Sequence, residues 1–279
     1  MIKILFPTDF SEAANHAFIY ALQFANAIGA EINTFHVIPE PNVKGAHLPN
    51  TMKEIADSIK AEEFEEYKKY IPQLREIAEV NGFSNVVLKH NMVFGDPRIR
   101  IRKEASEIGA DMIVMGTKGA GWLKEIFIGS VAGEILENAP CPTLAIPAKA
   151  NFDGKIDKIA VTTNYEAKEV KAIENLMRFA NYFKAEVFCV HVDTSHTEGL
   201  SHKMENFKNL ISPQENLHFI AIDGLRMESS LIQFVEENDI DILAMMTHKR
   251  NFFEEIFSYS KTKQMSYHSK IPILSVKAD

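Results

Sequence analysis

The sequence predicts an α/β protein made of two tandem doubly wound domains, each a five-stranded, mainly parallel sheet with helices on both faces. Three observations carry that prediction. Apolar runs of strand length alternate with longer segments of helical character along the chain. The pattern then starts again: Ile4-Leu5-Phe6-Pro7-Thr8-Asp9-Phe10 is matched by Ile159-Ala160-Val161-Thr162-Thr163-Asn164-Tyr165 at an offset of 155 residues. The length of 279 residues is enough for two domains of ordinary size.

The repeat continues beyond that first match. Ala30-Glu31 falls on Ala185-Glu186 and His36-Val37 on His191-Val192 at the same offset. Further on, Asp111-Met112-Ile113 falls on Asp241-Ile242-Leu243 at an offset of 130, as Cys141-Pro142-Thr143-Leu144 does on Ile271-Pro272-Ile273-Leu274. The offset drops because the first copy carries a longer middle segment between Pro39 and Asn85. The expected domains are 1–148 and 154–279, with 147–155 (Pro-Ala-Lys-Ala-Asn-Phe-Asp-Gly-Lys) as the linker.

The elements follow in order. The apolar run at 2–6 reads as the first strand, and a helix near 11–28 follows it, for which Asp9 is a candidate cap. A strand near 31–37 leads to a long helix near 51–80, charged on one side and carrying Ile55, Ile59, Phe64 and Tyr67 at helical spacing. A strand near 86–92 precedes a helix near 97–108, whose opening cluster Arg98, Arg100, Arg102 and Lys103 reads as a solvated face. Asp111 to Met115 reads as a buried strand, 130–138 as a helix with Ser130 as its N-cap, and 143–146 as the last strand of the copy. Strands near 156–161, 186–192, 217–222, 241–246 and 272–276 repeat the series. Such sheets are parallel, have right-handed crossovers, and bind ligands at the carboxyl ends of their strands. That rule gathers Pro7-Thr8-Asp9, Val37-Ile38 and the loop after Met115 on one rim.

Composition narrows the function. Hydrophobic residues at 46% and charged residues at 24% are typical of globular proteins. No apolar run is long enough to span a bilayer and the N-terminus lacks a signal-peptide pattern, so a cytoplasmic protein without membrane contact is expected. A formal net charge of −8 argues against nucleic-acid binding, yet leaves room for a small anion held by local amides. Cys141 and Cys189 form neither a disulfide scaffold nor a zinc site and read as packing residues. His36 and His191 read as hydrogen-bonded core histidines rather than metal ligands, because no second ligand lies at zinc spacing.

The chemistry concentrates in Gly116-Thr117-Lys118-Gly119, followed after nine residues by Gly129-Ser130. The sequence there runs strand, glycine-bearing loop, helix N-terminus. Glycine allows positive φ and close approach of a ligand to the backbone. A helix N-terminus adds unpaired N–H groups and the positive end of a dipole, which together favour an anion and most often a phosphate. The loop fits neither the Gly-x-x-x-x-Gly-Lys-Ser/Thr pattern nor Gly-x-Gly-x-x-Gly. Trp122 and Phe127, inside the nine-residue segment, read as packing the loop onto the body.

With these residues the chain resembles a tandem universal stress protein. The family's ATP-binding signature is Gly, two residues, Gly, nine residues, Gly, then Ser or Thr, which Gly116, Gly119, Gly129 and Ser130 match in spacing. Pro7-x-Asp9, His36-Val37-Ile38 and Gly95-Asp96-Pro97 fit further family features. The resemblance implies a Rossmann-like, adenine nucleotide alpha hydrolase-like fold. It places adenine near Val37, with Pro7, Thr8 and Asp9 on the adenosine side. Met115 and Gly116 would lie under the ribose, and Lys118, Gly119, Gly129, Ser130 and Val131 around the phosphates. ATP is the expected ligand, with ADP and AMP open, and magnesium would ride on the phosphates. In the second copy Met246, Lys249 and Tyr259 replace the glycines, Asn164 replaces Asp9 and Thr162 replaces Pro7; of the loop signature only Ser260 remains. Side chains there fill the phosphate space and resist left-handed backbone at roughly 1–2 kcal/mol each. The second copy is therefore expected not to bind ATP, and Phe252, Phe253, Phe257 and Tyr259 to fill the vacated cavity.

The function expected is that of an ATP-binding regulator of the stress response acting on an unknown protein partner. A slow ATP hydrolase and a nucleotide-free interaction module remain alternatives. Because family domains often pair through their last strands, the two copies are expected to pair through 143–146 and 272–276 as an intramolecular pseudo-dimer, with further homodimerisation open.

Overall fold

The computed structural model describes residues 1–41, 49–117, 129–246 and 270–277. The first half contributes β1 (Ile2–Pro7), α1 (Glu12–Ile28), β2 (Ala30–Ile38), α2 (Pro49–Val80), β3 (Leu88–Phe94), α3 (Pro97–Glu107), β4 (Met112–Gly116), α4 (Ser130–Asn138) and β5 (Thr143–Ile146). The second contributes β6 (Lys158–Thr162), a single 3-10 turn (Ala167–Glu169), α5 (Val170–Phe183), β7 (Glu186–Asp193), α6 (Leu200–Lys208), β8 (Leu217–Asp223), α7 (Met227–Glu237), β9 (Ile242–Met246) and β10 (Ile273–Val276).

All ten strands join one sheet in the order β3-β2-β1-β4-β5-β10-β9-β6-β7-β8. Among the described residues every pairing within each half is parallel, and the only antiparallel pair is β5 with β10. Each half is thus a doubly wound unit, and the two share a continuous sheet rather than facing each other as separate ones. In the β5–β10 register Leu144 pairs with Leu274, which are equivalent residues of the repeat, so a pseudo-twofold passes between them.

Strand alternation divides the core into two faces. Ile4 and Phe6 of β1 and Ile159 and Val161 of β6 look toward α1, α2, α5 and α6, where Phe18, Leu74, Ile173 and Phe207 lie in one continuous cluster. Leu5 looks the other way, toward Ile101 of α3 and Ile135 of α4, and Ala160 toward Leu231 of α7. The first face is also sealed across the halves by aromatics. Phe24 of α1 meets Phe179 and Phe183 of α5 at ring separations of 5.8 and 5.4 Å, and Phe152 of the connecting segment meets Tyr20 at 5.1 Å.

The repeat extends to the fine geometry. The Asp111 carboxylate accepts the Lys3 N–H at 2.8 Å, and Asp241 accepts the Lys158 N–H at 2.9 Å. Both lysine ammonium groups then cap a helix end, on the carbonyls of Ile108 and Asn238, each at 2.9 Å. Gly29 and Lys184 are equivalent and both end a helix in the left-handed region, with φ of 66° and 58°.

Two local expectations are corrected. The apolar stripe of α2 is not buried along its length: Ile55 and Phe64 are 43% and 46% exposed, and burial sets in at Tyr67 and continues through Leu74 and Ala78. A helix of this length, about 1.5 Å per residue, outreaches the strands it covers. The cap of α1 is Ser11, whose hydroxyl accepts the Ala14 N–H at 3.2 Å, while Asp9 accepts the Ser11 N–H at 3.1 Å just before the helix.

Candidate functional site

The strand order β3-β2-β1-β4-β5 reverses between β1 and β4, where the β1 connection leaves on the α1 face and the β4 connection on the α4 face. A crevice opens at such a point, at the carboxyl ends of the strands. Pro7, Thr8 and Asp9 close β1 there, with Pro7 and Thr8 buried and Asp9 exposed. Thr8 is fixed from both sides: its N–H donates to the Phe35 carbonyl at 2.9 Å, and its carbonyl bonds His36 Nδ1 at 2.7 Å. Phe10 follows with φ of 59°, an uncommon backbone state for a bulky residue. Its ring stacks on Tyr70 of α2 at 4.3 Å and packs on His36 at 4.8 Å. Tyr67 lies beside them, its phenol pushed up to about 12 by burial.

Val37, Met115 and Val131 come from β2, β4 and α4 and share one apolar cluster beneath the rim. Gly116 ends β4 as extended backbone, paired with Ile146. The buried Thr117 donates its N–H to the Ile146 carbonyl at 3.0 Å, and its own carbonyl accepts the Gly129 N–H at 2.7 Å. The two ends of the segment 118–128 are therefore tied together. Lys118, Gly119, Trp122 and Phe127 lie outside the described residues, as do Lys249, Phe252, Phe253, Phe257, Tyr259 and Ser260.

The N-terminus of α4 differs from the sequence expectation. Gly129 is the N-cap, with φ of −68° and ψ of 156°, and Ser130 is the first helical residue. Gly129 thus adopts a conformation open to any residue, so left-handed backbone is not the reason for glycine at this position. What it provides is the absence of a side chain: no cap hydrogen bond is made. The N–H groups of Ser130, Val131 and Ala132 lie in the first turn, where a helix offers no internal acceptor. Ser130 is exposed and Val131 half-buried. This arrangement suits an anion, by partial positive charge and by open amides.

The Arg and Lys residues of α3 are engaged with neighbouring groups, and Arg102 lies 3.7 Å from Glu134 of α4. Arg98 pairs with Asp96 at 2.6 Å, Arg100 donates to the Phe94 carbonyl at 2.8 Å, and Lys103 pairs with Glu107 at 3.4 Å. Gly95 holds φ of 145°, a backbone state that residues with a Cβ rarely adopt. Asp96 caps α3, accepting the Arg98 N–H at 2.9 Å.

In the second half the loop after β6 is held by its own side chains. Glu169, 1% exposed, accepts the Thr163 hydroxyl at 2.7 Å and the N–H groups of Asn164 and Glu166 at 3.0 and 3.2 Å. Tyr165, in the place of Phe10, turns inward and donates to the Ile220 carbonyl at 2.8 Å. Met246 stands where β4 has Gly116 and is buried. The sequence comparison found Met246 but missed Glu169, which aligns with Ala14; its signal is the spacing Glu166-x-x-Glu169, a capping box in which each side chain takes the other residue's backbone N–H. His191 repeats the bond of His36, with Nδ1 2.9 Å from the Thr163 carbonyl, so both histidines hold the loop that follows their neighbouring strand. Among the described residues no group of three or more His, Cys, Asp or Glu side chains is arranged to hold a metal ion, and no helix is long and apolar enough to cross a membrane.

Residues 1–147 match the model of the universal stress protein family. The chain is 32% identical over 157 residues to universal stress protein MJ0577 of Methanocaldococcus jannaschii, covering 53% of this chain and 95% of that protein. It is 29% identical over 147 residues to universal stress protein YxiE of Bacillus subtilis, covering 52% and 97%. A solved universal stress protein from Archaeoglobus fulgidus aligns over 99% of this chain and 98% of its own, with a TM-score of 0.68 at 19% identity. At that identity the likeness shows the fold alone, over both halves of the chain.

Proposed function

The chain belongs to the universal stress protein family, and from that premise we propose that its first half binds an adenine nucleotide and acts as a nucleotide-dependent regulator in the stress response. The observation that carries the proposal is the convergence of the ends of β1, β2 and β4 with the N-terminus of α4, which has no side-chain cap, at the point where strand order reverses. Adenine would sit near Val37, with Pro7, Thr8 and Asp9 toward the adenosine and Met115 and Gly116 under the ribose. Phosphates would lie at Gly129, Ser130 and Val131, with Lys118 and Gly119 of the connecting loop. ATP is the first candidate, ADP and AMP the others. Magnesium would come with the phosphates, a mode that suits this ion, which keeps most of its water and takes few protein ligands.

The proposal assigns the binding domain to 1–148 and a degenerate domain to 154–279. Glu169 supports that asymmetry, because an internal carboxylate already takes the amides of the β6 loop. It includes a cytoplasmic location and a protein partner that reads the nucleotide state. The test is to purify the chain without added nucleotide, denature it and identify what is released by mass spectrometry, then titrate it with magnesium-ATP by calorimetry. One nucleotide per chain is expected, and Gly119→Asp with Gly129→Glu should abolish binding. Two per chain would overturn the assignment of the second half. No nucleotide and no heat would overturn the binding proposal as a whole.

A further inference from the structure

The helix that offers its N-terminus to the anion ends in the other half of the molecule. In α4 the carbonyl of Leu136 would normally accept the N–H four residues on, but that residue is Pro140, which has none. The Ser275 hydroxyl of β10 fills the vacancy, donating to the Leu136 carbonyl at 2.6 Å in a buried bond. The Leu136 side chain is fully buried in a cluster otherwise formed, apart from Ala145, by the second half: Ala160, Val190, Leu231, Phe234 and Leu243 among others. Ala132 and Ile135 of the same helix are buried in the first-half core with Leu5, Ile113 and Met115. So α4 is one short helix with its first turn at the candidate phosphate corner and its last turn fastened to β10. Ser130 and Leu136 are separated by about 9 Å along the axis.

We propose that the second half governs nucleotide affinity in the first through α4, with Ser275 as the positioning residue. The inference rests on the nucleotide reading of the first half. It gives the second half a function: a platform that sets how firmly α4 presents its amides. A ligand on the first turn orders α4, and an ordered α4 holds Ser275 and the β10 edge. Coupling of this kind is reciprocal: what the second half does for binding, binding does for the second half.

The experiment uses the full chain with magnesium-ATP as the probe. Affinity is measured by calorimetry for the wild type and for Ser275→Ala, after circular dichroism has shown both folded. The variant is expected to bind about fivefold more weakly, at the low end of usual coupling strengths. In parallel, hydrogen exchange of the wild type is compared with and without ATP. Peptides from β10 and β6 should gain protection although they lie outside the proposed nucleotide site, a readout that does not depend on any variant folding. If the wild type binds and Ser275→Ala binds equally, or if second-half protection is unchanged by ATP, the coupling is refuted and the nucleotide reading stands. If the wild type does not bind, the nucleotide reading fails and the coupling fails with it.

Discussion

Replacing Gly129 by Asp should stabilise the protein and abolish nucleotide binding. The backbone at Gly129 has φ of −68° and ψ of 156°, and a Cβ there would meet its nearest neighbour, the Thr117 carbonyl oxygen, at an ordinary 3.5 Å. Losing glycine at a compatible site gains about 0.4–1 kcal/mol through the unfolded chain. An Asp cap adds a few tenths over glycine, and its charge at the helix N-terminus adds about 0.3–1 kcal/mol. The sum is about 1–2 kcal/mol, which raises Tm by several degrees in a chain of this size. The same carboxylate would sit beside a bound phosphate. Two unit charges about 4 Å apart at an effective dielectric constant of 20 repel by about 4 kcal/mol, near three decades of affinity; solvent screening of half of that still leaves more than tenfold. Gly129→Asn separates the two effects, because it caps without charge and should gain stability while losing far less affinity. Thermal melts and magnesium-ATP calorimetry on the three proteins decide it. A lower Tm for Gly129→Asp would refute the cap geometry. Unchanged affinity in that variant would refute an anion at the N-terminus of α4.

Lys184→Gly should raise stability by about 1 kcal/mol, since Lys184 holds a left-handed φ of 58° that its equivalent Gly29 holds without strain; urea unfolding that shows no gain would contradict the strain assigned to that helix end. Phe24→Ala should cost about 3–5 kcal/mol, because its fully buried ring joins α1 to Phe179 and Phe183 of the other half. A loss below about 1 kcal/mol in the same assay would mean that the aromatic contact between halves contributes little. His90 is held below the usual imidazole range by burial first and by the Arg75 charge second. With the folded value depressed, the unfolded chain binds the proton more readily, so His90 contributes stability above the ordinary value of 6.5 that is lost as pH falls toward the folded value. His90→Asn, which can keep the bond to Thr34 now made at 2.7 Å, should flatten the fall in stability between about pH 7 and pH 5; an unchanged slope would assign the pH dependence to other groups.

Much of this protein was legible in one dimension. The order of elements, the duplication, the strand ends that form the rim and the glycine-bearing connection to α4 are local patterns, set by hydrophobic period and by residues that favour turns. Pairing of the final strands was anticipated from the family resemblance, and the register that sets Leu144 against its repeat equivalent Leu274 came from the fold. Other features depend on groups distant in sequence and became visible only in the folded chain. Gly129, rather than Ser130, caps α4, because the Thr117 carbonyl captures the Gly129 N–H and fixes where the helix can begin. Ile55 and Phe64 share the helical spacing of Tyr67 yet remain exposed, because a periodic stripe says which side of a helix is apolar and not how far its partner surface extends. Glu169 holds the loop after β6 beyond its local capping box with Glu166, reaching the Thr163 hydroxyl and the Asn164 amide, which spacing alone does not show. Pro140 shows in the sequence that the Leu136 carbonyl needs an outside donor, but that the donor is Ser275, across the seam between the halves, was decided by the tertiary structure alone. The physical reason is common to all four: sequence fixes which backbone groups and faces require partners, and only the packing of distant segments supplies them.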